Sequence, residues 1–367
     1  MKYLAVLGRQ PEISRAEIAA LLPSASLSWA VRGRVLEIDF NGELPFTIAR
    51  LGGTIKLAEK IAGKPLDFLA GLPEGKITLG VSDLSRGASR KTAAVFALKL
   101  KKILVRHGRS VRVVENKEAE LSTATSLHNG LSGSNPRKVE VLKVNEDYYR
   151  VIGVQDIDAY ARRDQARPAR DAKVGMLPPK LAQILINLCG LLPEGARILD
   201  PFCGTGVVLQ EATLMGYAAY GTDVSERMAS YSERNLRWLG AEDFRVEVGD
   251  ATEFKWNLPI DAVACEGYLG SPMSTPPAEI KLRGEKQKCR AIIVGFLKNL
   301  APQIKAGTPV VLAAPAWLRE NGEYSRLEIL DENLEVWYNI ENKSHEGLLY
   351  CREGQVVARD IIILRKK

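Results

Sequence analysis

Residues 196–225, ARILDPFCGTGVVLQEATLMGYAAYGTDVS, leave this chain few folds to choose from. Ala196 to Leu199 form a short apolar run around Ile198, the composition of a strand buried on both faces. Asp200 and Pro201 end it. Gly204 and Gly206 bracket a tight turn where a side chain would obstruct a ligand. Val207 to Leu214 carry helical apolar spacing, Ala218 to Thr222 make a second strand, and Asp223 falls at its carboxyl end. The spacing predicts a parallel βαβ unit, and open α/β sheets bind ligands at the carboxyl ends of their strands. A carboxylate about 20 residues after the glycine turn suits the two hydroxyls of a ribose.

A glycine turn with a distal acid fits a dinucleotide fold as well as a methyltransferase, and an ordinary βαβ turn holds no ligand at all. The wording separates these readings. The turn is D-P-F-C-G-T-G rather than G-x-G-x-x-G. Asp200 would repel a pyrophosphate, whereas it favours the ammonium and sulfonium of S-adenosylmethionine (SAM). LDPFCGTG resembles the SAM-binding motif of the tRNA guanine-N2 methyltransferases that join a THUMP domain to a Rossmann-like catalytic domain, the archaeal/eukaryotic-type guanosine-10 enzymes. The resemblance implies an α/β chain with a C-terminal Rossmann-like SAM methyltransferase domain on a seven-stranded, mostly parallel sheet. A ferredoxin-like domain and an α/β THUMP domain would precede it. It also implies that Asp200, Pro201, Cys203, Gly204, Gly206 and Asp223 hold SAM, with Asp250 on the adenine amino group.

Charge bears on the partner. The chain has 51 Lys+Arg against 44 Asp+Glu, a net of +7. Residues 1–175 hold 29 of the basic and 19 of the acidic residues, so the whole excess lies in the front half. That asymmetry points to a polyanion bound there, nucleic acid first among candidates. No stretch of about 18 apolar residues predicts a membrane span. The opening MKYLAVLGRQPE has too short an apolar core for a signal peptide. Five cysteines without a C-x-x-C pair and three histidines argue against disulfides and a structural zinc, and favour a reducing cytoplasm.

The front half reads as two modules. In residues 1–62, the expected order is βαββαβ, the ferredoxin-like unit. Ser14 and Glu17 read as an S-x-x-E capping box opening a short helix, Arg32-Gly33-Arg34 as a hairpin turn, and Leu44–Leu51 as a second short helix. YLAVLGRQPEISRAEI resembles the opening segment of the same family. In residues 63–157, a long helix over 89–106 carries Lys91, Lys99 and Lys102 around an apolar stripe of Ala94, Leu98 and Leu104. A strand with Arg112, a helix over Thr123–Leu131 and a hairpin follow. This block resembles a THUMP domain, which in the family holds the tRNA acceptor end. Its lysines are candidate RNA contacts, or a solvated helix face.

Residues 158–173 read as a charged linker with Arg162, Arg163 and Arg167, either a soluble connector or a phosphate-contacting strap. From residue 174 the catalytic domain begins, with GMLPPKLAQILINL resembling the family's extra element over the SAM site. Strands are expected at Thr308–Ala313 and Leu334–Ile340, the latter among the closing antiparallel strands.

The segment after the fourth strand departs from the family. Amino-group methyltransferases carry D/N-P-P-Y there. The acid or amide accepts an amino hydrogen, so that the nitrogen lone pair turns toward the methyl group, and the aromatic ring stacks on the base. Here the wording is Cys265-Glu266-Gly267-Tyr268. Aligned on Tyr268, the acid position holds Cys265, and Glu266 is the candidate acceptor one position along. The resemblance then implies SAM-dependent methylation of a guanosine N2 in tRNA, with Glu266 and Tyr268 presenting the base. A small activating partner subunit is left open. The altered segment also admits an amino methyltransferase acting on another RNA or DNA, and an inert tRNA-binding protein with a SAM-like pocket.

Overall fold

The computed structural model describes residues 1–171, 176–329, 332–342 and 348–367. Ala172 and Lys173, at the end of the expected linker, Val174, where the expected catalytic domain begins, and Gly175, the first residue of GMLPPK, lie outside the described residues. Two compact units are present, Met1–Tyr160 and Ala161–Lys367.

The first unit runs β1 (Lys2–Leu7), α1 (Pro11–Leu21), β2 (Ser26–Val31), β3 (Val35–Asp39), a 3-10 turn (Ile48–Arg50), β4 (Thr54–Lys60), α2 (Pro65–Ala70), β5 (Ile77–Asp83), α3 (Arg90–Arg106), β6 (Val111–Val113), α4 (Thr123–His128), β7 (Lys138–Val144) and β8 (Asp147–Val154). All eight strands lie in one sheet, in the order β2-β3-β1-β4-β8-β7-β5-β6. Segments 1–62 and 63–157 therefore share a sheet, through the antiparallel pair β4–β8.

Local pattern misled in three places here. The S-x-x-E pair does not cap a helix, because α1 starts at Pro11 and carries Ser14 and Glu17 inside it, both buried. Glu17 accepts the amides of Gly52 (2.8 Å) and Gly53 (2.9 Å), and Ser14 Oγ donates to Gly53 O at 2.9 Å. That glycine pair leads into β4, so the motif spends its oxygens on tertiary structure. The expected helix over Leu44–Leu51 shrinks to the 3-10 turn. On α3 the buried stripe is Ala93, Ala97, Leu100 and Leu104, while Leu98 is exposed. Two polar groups bury deeply. Lys56 Nζ donates to Glu140 Oε1 (2.7 Å) and to Leu121 O (2.6 Å). Ser82 and Ser126 donate to the two Glu140 oxygens at 2.6 Å each.

The first part of the stretch expected as a linker, residues 158–165, is helical in α5 (Ile157–Gln165), and residues 166–171 are irregular. The second unit continues with α6 (Pro179–Leu188), β9 (Arg197–Asp200), α7 (Val207–Leu214), β10 (Ala218–Asp223), α8 (Glu226–Leu239), β11 (Phe244–Val248), β12 (Ala262–Glu266), α9 (Glu279–Leu300), β13 (Pro309–Leu318), β14 (Tyr324–Arg326), α10 (Glu332–Glu335), β15 (Tyr338–Ile340), β16 (Leu349–Tyr350) and β17 (Val357–Lys366). Among the described residues its sheet has nine strands. Seven run β11-β10-β9-β12-β13-β17-β15, with β14 on β13 and β16 on β17. β9 to β13 are parallel, and β17 and β15 are antiparallel to their neighbours.

Two boundaries differ from expectation. β13 runs through Pro315, which sits beyond the last residue paired with β12, Ala313, and before the first paired with β14, Ala316. Its missing N–H breaks no ladder with either strand. Glu332–Glu335 is helical, so the strand expected from Leu334 begins only at Tyr338. The core packs Ile293, Phe296, Leu297 and Leu300 of α9 against the sheet and Trp317. The chain winds outward from β9 to β11, then returns through β12 to β13. The point of reversal between β9 and β12 is where doubly wound sheets open a crevice.

Candidate active site

Asp200 and Glu266 are the last residues of the neighbouring strands β9 and β12, so both carboxylates reach that crevice. Asp200 is 2% exposed, and its Oδ1 accepts the Phe202 amide at 3.1 Å. Burial pushes its carboxyl well above the usual range. The Phe202 amide opposes this, and the Asp223 and Glu266 charges add to it. Among the described residues Asp200 has no basic partner.

The glycine turn follows. Gly204 and Gly206 have φ of +51° and +80°, and a Cβ on Gly206 would lie 2.3 Å from Ser232 Oγ on α8. The Gly204 amide is fastened to Asp223 Oδ2, and the Ser225 amide to Asp223 Oδ1, each at 2.9 Å. Pro201 and Cys203 line the same cavity. The Cys203 thiol, however, packs against Leu209, Ala219 and Leu236, and burial raises it far out of the reactive range. Cys203 therefore offers its backbone. Asp250 follows β11 and is exposed. Its Oδ1 accepts the Thr252 amide (2.9 Å) and hydroxyl (2.7 Å), which hold the carboxyl below its ordinary value.

These residues line one cavity of about 1080 Å³, together with Glu266, Tyr268, Lys288 and Arg359. Its size suits a nucleoside cofactor with a second ring beside it. Four carboxylates converge on it, and the deepest lacks a cation of its own, so a cationic ligand such as SAM fits the donor set.

Cys265 is fully buried in the core, and Glu266 occupies the strand-end position that faces the cavity. One residue fewer than in D/N-P-P-Y thus separates the acid from the aromatic. Burial raises the Glu266 carboxyl, and Arg359 opposes the rise. Arg359, on β17, donates through Nε to Glu266 Oε1 at 2.5 Å. The Tyr268 loop is pinned by Glu285 on α9, which accepts the Ser271 amide and hydroxyl at 3.0 Å each. Lys288 lies over the Tyr268 ring at 5.2 Å. Sequence reasoning missed Arg359. The available signal was an arginine inside the otherwise apolar run V-A-R-D-I-I-I-L.

The arginines of the charged run go to different places. Arg163 pairs with the buried Glu211 of α7 at 2.7 Å. Arg167 is 3% exposed and donates to Met176 Sδ at 3.0 Å. In these positions neither presents a guanidinium to a nucleic acid, whereas Arg162 is exposed. The segment is held down further by Asn235 on α8. Its Nδ2 donates to Ala169 O (2.9 Å) and to Thr205 O in the glycine turn (2.8 Å). In the first unit, Lys91, Lys99 and Lys102 are exposed on the outer side of α3, and Arg112 is exposed with its Nη2 on Asn129 Oδ1.

Residues 167–287 match the family described as UPF0020, an RMKL-like methyltransferase domain. A tRNA (guanine(10)-N2)-dimethyltransferase of Methanothermobacter thermautotrophicus is 31% identical over 187 residues, 50% of this chain and 51% of that one. The Pyrococcus abyssi protein of the same name is 28% identical over 75% of this chain and 80% of its own. A protein of Methanothermococcus thermolithotrophicus named "Probable tRNA (guanine(10)-N2)-dimethyltransferase" is 36% identical, and 79% of its length is covered. The chain belongs to the tRNA (guanine(10)-N2)-dimethyltransferase family. As a member, it matches about half the length of the first of these relatives. Among solved structures, TrmN from Thermus thermophilus aligns over 100% of both chains with a TM-score of 0.49 and 20% identity. Among the described residues no helix is long and apolar enough to cross a membrane.

Proposed function

We propose that this protein transfers a methyl group from SAM to the exocyclic N2 of a guanosine in tRNA. One observation carries the reading: Glu266 ends β12 in the same cavity as Asp200, Asp223 and Asp250, with Tyr268 two residues on. When bound, SAM supplies an electrophilic methyl group. Asp200 faces its positive charge, the Gly204–Gly206 turn gives it close backbone approach, Asp223 holds the ribose and Asp250 the adenine. Tyr268 stacks on the guanine. Glu266 accepts an N2 hydrogen, which turns the lone pair toward the methyl group, and takes that proton as the N–C bond forms and the C–S bond breaks. A carboxyl raised by burial is suited to receive it.

On this reading residues 1–62 are a ferredoxin-like scaffold and 63–157 a THUMP-like RNA-binding domain, with 158–173 leading into a Rossmann-like methyltransferase domain over 174–367. Lys91, Lys99, Lys102, Arg112 and Arg162 contact tRNA phosphates in a cytoplasmic enzyme. Transfer of tritium from labelled SAM into unmodified tRNA tests the proposal, with Asp200→Ala and Glu266→Ala as controls and nucleoside mass spectrometry to place the label. Folded protein that incorporates nothing rejects it. Label appearing in another RNA or in DNA reassigns the substrate.

A further inference from the structure

The Glu266–Arg359 pair contains more than catalysis requires. An acceptor for one amino hydrogen needs only a carboxylate. Here one carboxylate oxygen takes the Nε–H of a guanidinium from a strand 93 residues away in sequence. Both side chains line the cavity. Arg359 is 4% exposed and commits only Nε to the protein among the described residues. Its Nη1 and Nη2 have no protein partner there, yet neither is among the sealed, unsatisfied atoms of the core. Arg359 lines the cavity, so these two groups are its candidates for a ligand there. Glu266 Oε2 accepts no hydrogen bond among the described residues, although the Arg352 charge acts on the same carboxyl.

Taken in bonded sequence through the Nε–H···Oε1 contact, the couple offers Oε2, Oε1 and Nη: acceptor, acceptor, donor. This is the order of cytosine's pairing edge. Guanine offers the complement along its Watson–Crick edge: the N2 and N1 hydrogens as donors, then O6 as acceptor. Adenine has no donor at position 1, uracil reads acceptor, donor, acceptor, and cytosine runs the other way. Oε1 keeps a second lone pair for N1–H after taking the Arg359 Nε–H.

We propose that Arg359 is a specificity residue that donates to guanine O6, so that the Glu266–Arg359 couple reads the target base as a cytosine would. The proposal rests on the N2-methylation reading and goes beyond it. It assigns how guanine is told from other bases by a protein without D/N-P-P-Y. Bases that carry an amino group in another place put an acceptor against Oε1 or a donor against Nη. A site with buried polar groups left unpaired rejects such analogues strongly.

The test replaces the guanosine at tRNA position 10, the position named for the relatives, with 6-thioguanosine. This keeps both nitrogen donors and replaces the O6 acceptor with a larger, weaker sulfur. Wild-type protein should prefer guanosine by about 10-fold or more in kcat/KM, and Arg359→Met should shrink the preference to within about 2-fold. Arg359→Lys, which retains a donor, should keep part of it. SAM affinity by calorimetry should stay within about 3-fold in both variants, which separates lost reading from lost folding. Equilibrium binding of the two tRNAs to protein loaded with S-adenosylhomocysteine gives the same preference without turnover. Protein that binds selectively but never transfers therefore sinks the catalytic proposal and upholds the reader. Equal treatment of the two bases by wild-type protein overturns the reader, whatever the variants do. So does an unchanged preference in Arg359→Met.

Discussion

The Gly204 amide donates to Asp223 Oδ2 at 2.9 Å, which ties the glycine turn after β9 to the tip of β10. The other Asp223 oxygen takes the Ser225 amide at the cap of α8. One carboxylate thus sets the turn and the helix start, and retains lone pairs for ribose hydroxyls. Asp223→Ala removes all of this. SAM affinity should fall at least about 10-fold, equivalent to about 1.4 kcal/mol. Asp223→Asn, which keeps one carbonyl acceptor, should lose less. Calorimetry with SAM decides, and parent-like affinity in Asp223→Ala would put the ribose elsewhere.

On the proposed reading, Asp200 couples SAM binding to pH. Burial raises its folded-state carboxyl above the unfolded value, so the folded chain keeps the proton to higher pH. Stability from this group is then greatest below the unfolded value, and it declines as pH rises between the ordinary carboxylate range and the raised one. A cationic ligand favours the carboxylate, so SAM binding should release a proton and tighten as pH climbs through that window. Asp200→Asn should flatten the pH dependence and weaken SAM binding. It should also raise the melting temperature of the free protein by a few degrees, since about 1 kcal/mol corresponds to roughly 2–4 °C at this size. A SAM affinity independent of pH in the wild type would contradict this.

The βαβ unit was legible because every cue there is local. The apolar run ending at Asp200, the glycines, the helical spacing and the acid at Asp223 fall within 30 residues and agree with one another. Glu266 was legible as an acid beside the aromatic, although its place at the strand end was not, because the one-residue deletion shows only once β12 is seen to end there. Arg359 was not legible as its partner, since nothing in a strand sequence names a contact 93 residues upstream. Ser14 and Glu17 were misread for the opposite reason. Their spacing is the same at a helix start and inside a helix, and only the approach of Gly52 and Gly53 distinguishes the two. On α3 the exposed Val95, Leu98 and Val105 defeat a simple apolar rule.

In the first unit, Glu140 should be the costliest single polar residue to remove. It is fully buried and receives Lys56, Ser82 and Ser126. Glu140→Ala leaves the buried Lys56 ammonium with Leu121 O and, as its remaining counter-charge, only Glu120 at 3.7 Å, a loss of about 3–5 kcal/mol. Pairing it with Lys56→Met should recover most of that loss, because an apolar pair of similar size avoids the stranded charge. Urea titration of the three variants measures the coupling. A double variant no better than Glu140→Ala would show that the charges contribute through something other than each other.

The arginines of the charged run separate a structural role from RNA binding. Glu211 is 2% exposed on its side chain and takes Arg163 through both Nε and Nη2. Burial raises the Glu211 carboxyl, and Arg163 opposes the rise. Arg163→Ala should therefore cost about 3 kcal/mol of stability by leaving that carboxylate uncompensated, and Glu211→Gln should soften the loss. The salt dependence of tRNA binding should not change in Arg163→Ala. Lys102→Ala and Arg162→Ala are the counterparts: both side chains are exposed. Each should leave the melting temperature nearly untouched and lower the slope of log affinity against log salt by about one unit. Filter binding of tRNA across a salt series, run beside thermal melts, reads both quantities on the same samples. A reduced slope in Arg163→Ala would mean that the helix holding it opens to meet the RNA. An unchanged slope in both counterparts would move the phosphate-binding face away from α3 and α5.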